Sequence, residues 1–272
     1  MTLISDEKHF KTVGDPDLDR VVIVIPGGPG LGFGYLLPYL TDLSKHFQVV
    51  FYNPGFTSNF QNVSLEILTR ELNLIAKRFA DKNLGFIAHS GGSILLLNYF
   101  KRFLEKPSAF VSWIVDIDWL EMFEKKNVRA QKVSQSLKTE ISATKSEEDI
   151  LRLRTLAFIE DYFTPAFHSI GRQILNSIDY FLIISTLVEE HLNGGVSYRE
   201  EFRRLGLAIG IGGSEDRVIF PDYLLALCNR QSNVDLHLIQ NAGHFPFIEK
   251  PKEFSRLITN FFNRIFNRDS DA

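Results

Sequence analysis

Apolar residues fall along this chain in two rhythms. Short unbroken runs are one, and residues 21–25 (VVIVI) are the clearest: apolar on both faces and β-branched throughout. A strand of that kind belongs at the centre of a parallel sheet, where helices cover both faces. Comparable runs at 48–52, 85–88, 109–116, 207–211 and 234–239 predict further buried strands, and 9–13 an early one. The other rhythm is helical. Leu65, Ile67, Leu68, Leu72, Ile75 and Phe79 lie on one face of a helix over 64–82, and Phe254, Leu257, Ile258, Phe261 and Phe262 do the same near the C-terminus. Strands alternating with amphipathic helices predict an α/β fold with a mostly parallel, doubly wound sheet.

The alternation breaks after the run at 109–116. From Trp119 to about Arg204 there is no strong strand, only charge-rich helical sequence at 120–137, 146–163 and 170–191, with Asn193-Gly194-Gly195 as a helix stop. An insertion of helices between two strands reads as a cap over a site. The expected division is a core of residues 1–118 and 205–272 and a helical cap, or lid, of 119–204. Lys125-Lys126 and Glu189-Glu190 read as solvated helix faces.

Composition narrows the classes. The 272 residues suit one α/β core with an insertion, and 44% hydrophobic with 23% charged residues is ordinary for a soluble domain. A formal net charge of −3 gives no reason to expect nucleic acid as a partner. Cys228 is the single cysteine, so there is neither an intramolecular disulfide nor a thiolate-rich metal site, which suits a reducing compartment. Residues 1–14 are polar and unlike a signal peptide, and no apolar run approaches the roughly 18 residues of a membrane span. The expected location is the cytoplasm. The 24 phenylalanines predict aromatic core packing, or an apolar pocket.

Candidate chemistry centres on Gly85-Phe86-Ile87-Ala88-His89-Ser90-Gly91-Gly92-Ser93, where an apolar strand must turn into an apolar helix within a residue or two. A serine hydroxyl is a poor nucleophile at neutral pH. It needs a position where a base can reach it and where backbone N–H groups face the developing oxyanion, and a strand-to-helix turn supplies both. The backbones approach closely there, so the positions two before and two after the serine must be small; they are Ala88 and Gly92. An ordinary N-cap serine is the simpler alternative. Pro26-Gly27-Gly28-Pro29-Gly30, directly after the strand at 21–25, is a loop whose backbone can come very near a ligand.

Together these stretches resemble the α/β-hydrolase superfamily, with the motif pattern nearest to its proline iminopeptidase-like (HGGPG) group. The serine turn resembles the GxSxG nucleophile elbow with Ala88 for the first glycine. Residues 26–30 resemble the HGGPG loop with Pro26 for the histidine, a side chain that helps orient this loop in relatives. Asn53-Pro54-Gly55-Phe56-Thr57-Ser58 matches the DxRGxGxS loop only at Gly55 and at most Ser58. Residues 212–219 resemble the GxxDxxV acid loop, and Gly243-His244-Phe245-Pro246, followed by Glu249 and Pro251, closely resembles GHFPxxExP.

The resemblance implies a fold with a helical cap inserted after the sixth strand, and a nucleophile Ser90, base His244 and acid Asp216. Asp116 or Asp118, after the previous strand, are rival acids. Oxyanion donors would be the backbone N–H of Gly28 and Gly91. No metal or organic cofactor is needed. His89 reads as a packing or hydrogen-bonding residue, and His9, His46, His168, His191 and His237 as structural, with substrate contact the lesser alternative for His168 in the cap. The implied activity is hydrolysis of a small ester or related acyl bond. An aminopeptidase or amidase acting on a short peptide is the alternative, and would need cap carboxylates such as Glu189, Glu190, Glu200 or Glu201 to hold the free amine. A carbon–carbon bond hydrolase, and a non-catalytic protein of this fold that binds a ligand or partner, complete the readings. Oligomeric state is not legible.

Overall fold

The structure is a computed structural model that describes residues 10–28, 30–55, 63–103, 105–116, 118–127, 132, 146–181, 190, 194–229 and 233–267. Seven strands form one sheet: β1 (Phe10–Val13), β2 (Arg20–Ile25), β3 (Gln48–Tyr52), β4 (Asn83–His89), β5 (Ser108–Val111), β6 (Ala208–Gly213) and β7 (Val234–Ile239). Their order is β1-β3-β2-β4-β5-β6-β7, with β1 antiparallel to β3 and every other neighbouring pair parallel.

That order reverses between β2 and β4. The chain leaves β2 toward β3 and then crosses to β4 on the opposite side, so the connections diverge and open a crevice at the C-terminal strand ends. The two segments facing that crevice are the glycine-rich loop after β2 and the Ser90 turn after β4. The predicted chemistry therefore sits where an open α/β sheet places it.

Alternation within β2 divides the interior in two. Val21, Ile23 and Ile25 face one hydrophobic core and Val22 and Val24 the other, all fully buried. Helices Leu65–Lys77 and Gly92–Phe100 cover the first face, and Pro251–Phe266 covers the second. The helix at Leu65–Lys77 starts as its residues demand, with Ser64 Oγ accepting the Ile67 N–H at 3.2 Å, and ends short of the expected Lys82. Much of the phenylalanine fills these cores: Phe262 sits against Phe47, Phe261 and Phe266, and Gly85 on β4 leaves room for its ring.

Two expectations change. The strand expected over 109–116 ends at Val111, because Ser112 takes a left-handed conformation (φ 43°) that breaks the ladder. The helix expected over 170–191 is His168–Ser177. Beyond it Ile178 is extended, and Gly32 N–H donates to Asp179 C=O (2.9 Å) while Phe181 N–H donates to Gly30 C=O (2.8 Å). Pairing with the loop after β2 overrides helical spacing there.

Between β5 and β6 run helices Asp118–Lys126, Glu147–Ala157, Ile159–Tyr162, His168–Ser177 and Arg199–Arg203. This segment follows the fifth strand described, residues 1–9 lying outside the described set. Parts of the stretches expected at 120–137 and 170–191 also lie outside it. Several bonds stitch the segment to the loops after β6 and β7. Trp119 Nε1–H donates to Val218 C=O at 2.9 Å, and Asn127 Nδ2–H donates to Arg217 C=O at 3.4 Å. His244 N–H donates to Tyr162 C=O at 2.7 Å, and Phe163 stacks flat on Phe245 with ring centroids 4.7 Å apart. Glu249, 4% exposed, accepts the Gly243 N–H (2.7 Å) on one carboxylate oxygen and the Thr164 N–H (3.0 Å) and hydroxyl on the other. Burial pushes the Glu249 carboxyl up, and these donors pull it back down.

Two outcomes test this packing. Phe262→Ala is expected to cost about 3–5 kcal/mol in urea unfolding, because a fully buried aromatic leaves a cavity between helix and sheet. Glu249→Ala, which strands the amide donors at Gly243 and Thr164, is expected to cost about 2–4 kcal/mol, and Glu249→Gln, which keeps one acceptor, less than half of that. Equal losses for the two Glu249 variants would show that the carboxylate is not bridging both segments.

Candidate active site

Ser90 directly follows β4 with φ at 48°, a left-handed conformation that a non-glycine residue adopts only where its surroundings enforce it. They do so here. Its N–H continues the ladder by donating to Val111 C=O at 2.9 Å. Ser93 Oγ lies 2.6 Å from Ser90 C=O and accepts the Ile114 N–H at 3.0 Å, tying the turn to the chain after β5. Gly92 is required: a Cβ there would meet Pro26 C=O at 2.4 Å. The strained turn therefore rests directly against the loop after β2, as the small residues at 88 and 92 suggested.

His244 reaches this serine from the loop after β7. Its Nε2 is 3.1 Å from Ser90 Oγ, and its Nδ1 is 2.9 Å from Asp216 Oδ2. A carboxylate oxygen accepts only, so Nδ1 carries the proton and Nε2 is left to accept from the serine hydroxyl. Asp216 Oδ1 accepts the N–H of Val218 and Ile219, each at 2.8 Å, which locks the carboxylate in place. Exposure is 6% for Ser90 and 2% for His244 and for Asp216, so these interactions work with little competing water.

The rival acids are engaged elsewhere. Asp116 is bound by the Arg199 guanidinium, by Tyr223 Oη–H at 3.3 Å and by the Asp118 N–H at 3.2 Å. Asp118 pairs with the same arginine at 2.5 Å. Both carboxylates anchor the returning end of the helical segment to the end of β5. His168 donates to Phe163 C=O at 3.0 Å within that segment, and His237 pairs with Asp235.

The loop after β2 carries Gly28 at φ 98° and Gly30 at φ 79°, both favoured by glycine alone. Gly30 also admits Phe181, whose C=O a Cβ at Gly30 would meet at 2.4 Å. Among the described residues, the Gly28 and Gly91 N–H groups donate to no protein acceptor. Both line a small apolar cavity of about 30 Å³ whose walls include Ile25, Leu65, Leu68 and Leu95. Asn53, the poor match to the DxRGxGxS loop, accepts the Phe33 N–H at 2.7 Å and so still ties its loop to the segment beyond β2. Ser58 and Glu189 lie outside the described residues.

Three contributors were not singled out from sequence. Tyr162 covers His244, with ring centroids 5.6 Å apart, and its C=O holds the His244 N–H. Tyr35 lies beneath the glycine loop and hydrogen-bonds to it. Glu249 was visible as part of a motif, but its partners were not. A tyrosine in an apolar run reads as core filler, so nothing in spacing marks Tyr35 or Tyr162 as part of a site.

No protein-family model matches the chain, and no curated protein is similar to it in sequence. Solved structures are similar in fold. A thermophilic esterase from Thermogutta terrifontis superposes with a TM-score of 0.69 at 14% identity, covering 94% of this chain and 93% of its own. A proline iminopeptidase from Mycobacterium smegmatis gives 0.68 at 14% identity, covering 96% and 95%. An alpha/beta hydrolase enzyme from a deep-sea metagenome library gives 0.65 at 14% identity, covering 94% of each chain. At such low identity the likeness speaks to architecture alone, and with the seven-stranded, mostly parallel sheet it shows that this chain has the α/β-hydrolase fold.

Proposed function

We propose that this chain is a serine hydrolase that cleaves a small ester or related acyl bond through an acyl-enzyme. Ser90 is the nucleophile, His244 the general base and then acid, and Asp216 the group that orients His244. The observation that carries this reading is the unbroken line from Ser90 Oγ to His244 Nε2 at 3.1 Å and from His244 Nδ1 to Asp216 Oδ2 at 2.9 Å, ending on a strained strand-to-helix turn.

In the first half-reaction Ser90 Oγ forms a bond to the acyl carbon as its proton passes to His244 Nε2. The oxygen that becomes negative is met by the N–H of Gly28 and Gly91, each contributing on the order of 3 kcal/mol to barrier lowering. Collapse breaks the bond to the leaving alcohol, which takes the proton from His244. Water then attacks the acyl-serine with His244 again as base, releasing a carboxylic acid and restoring Ser90. Residues 119–204 act in this reading as the cap over a core of 1–118 and 205–272.

Two features favour a short acyl ester over a peptide. The cavity beside the oxyanion donors is small and walled by apolar side chains. Two of the cap carboxylates have other partners: Glu200 lies 3.4 Å from Arg203 and Glu201 3.9 Å from Lys101.

A fluorophosphonate probe should label the wild type and fail on Ser90→Ala; absence of labelling on folded wild type would make this a binding protein of the same fold. Among p-nitrophenyl esters, acetate and propionate are expected to exceed octanoate by roughly tenfold or more in kcat/KM, with prolyl naphthylamide below all of them. Asp216→Asn is expected to lower kcat by roughly 10⁴-fold while Asp116→Asn changes it little. The reverse ranking would move the acid to the end of β5.

A further inference from the structure

Pro26 leaves the loop after β2 without the orienting histidine of the resembling motif, yet Gly28 must present its N–H accurately for the proposed chemistry. A buried chain of hydrogen bonds begins one residue away. Gly27 N–H donates to Tyr35 Oη at 2.6 Å; Tyr35 Oη is 2.8 Å from His89 Nδ1; His89 Nε2 is 3.1 Å from the backbone C=O of His244. Tyr35 is fully buried and His89 is 1% exposed, and both pack against Phe245 and Phe247.

The direction of every bond is determined. The His244 carbonyl can only accept, so His89 Nε2 carries a proton. Burial, and secondarily the neighbouring His244, push the His89 imidazole well below its ordinary range, so the ring is neutral and Nδ1 is bare. Tyr35, whose phenol burial pushes up, keeps its proton and donates it to that bare nitrogen. Its oxygen meanwhile accepts from Gly27. No member of the chain is left with donor facing donor. Gly27 must be glycine for this to form, since a Cβ there would meet His89 Nδ1 at 2.4 Å and Ser90 Cβ at 3.0 Å.

We propose that Tyr35 and His89 are positioning residues: their one-way hydrogen-bond relay, running beneath Ser90, sets the spacing between the oxyanion loop at Gly27-Gly28 and the backbone of His244. It takes over the orienting role that Pro26 cannot perform. The inference rests on the serine-hydrolase reading for its consequence in rate, and on hydrogen-bond geometry together with burial for its protonation pattern.

Tyr35→Phe removes the acceptor for Gly27 N–H and the donor to His89 while leaving the ring in place. It is expected to lower kcat on p-nitrophenyl acetate by about 10–100-fold with KM within about threefold, because the oxyanion donors engage the tetrahedral oxygen and not the bound ester. Affinity for a trifluoromethyl ketone that forms a tetrahedral adduct should weaken by the same factor, and fluorophosphonate labelling of Ser90 should slow with it. A role confined to core stability would lower the melting temperature and leave kcat within about twofold, and that result overturns the relay. If wild type does not react with the probe, the serine-hydrolase reading fails; if wild type reacts and Tyr35→Phe reacts equally fast, the relay alone fails. A second measurement needs no variant. In ¹⁵N-histidine-labelled wild type, His89 is expected to show a bare Nδ1 and a protonated Nε2, unchanged between about pH 5 and pH 8. A proton on Nδ1, or titration of His89 in that window, would overturn the proposal.

Discussion

An imidazole has two nitrogens, and in this chain those of His244 join side chains carried at the ends of two other strands. One faces Ser90 and the other faces Asp216, with the three groups 2–6% exposed. In so dry a setting each hydrogen bond is electrostatically stronger than in water, and any partner left unmatched is correspondingly costly. The surrounding structure can be understood as what it takes to keep that ring at one place and one angle. Asp216 is held by two amide donors, and the His244 backbone is held at its N–H by Tyr162 and at its C=O by His89.

The strand-order reversal between β2 and β4 brings the glycine loop and the serine turn together, but it does so at the price of a non-glycine residue at positive φ and of several very close backbone approaches. Such strain persists only where neighbours over-determine it. The helical segment between β5 and β6 contributes through Trp119, Asn127, Tyr162 and Thr164, each hydrogen-bonded to the chain after β6 or β7. A segment so attached at its Tyr162–Thr164 stretch cannot swing there without releasing the histidine loop.

Much of this was legible in the sequence. A run such as residues 21–25 is apolar on both faces only because helices lie on both faces, so the strand and its burial follow together. Ala88 and Gly92 around Ser90 are small for a reason that spacing alone conveys. The candidate acid was not legible so simply: Asp116 and Asp216 each follow a buried strand, and only the position of Arg199, far along the chain, shows that Asp116 is engaged in an ion pair. The left-handed Ser112 and the Asp179–Phe181 pairing were illegible for a related reason, since each depends on a tertiary contact with no periodicity of its own. Tyr35 and Glu249 show the same limit. Their burial is readable as pattern, but the identity of the groups they hold is not.

The central claim is that the buried hydroxyl of Ser90 becomes the acyl carrier. The most direct measurement is intact-protein and peptide mass spectrometry after rapid mixing with p-nitrophenyl acetate and acid quench, alongside the released nitrophenolate. One acetyl group per chain on the peptide containing Ser90, formed with a stoichiometric nitrophenolate burst and absent in His244→Ala, is the predicted result. Turnover of the ester with the acetyl group on another residue, or with Ser90 acetylated at the same rate when His244 is removed, would contradict it.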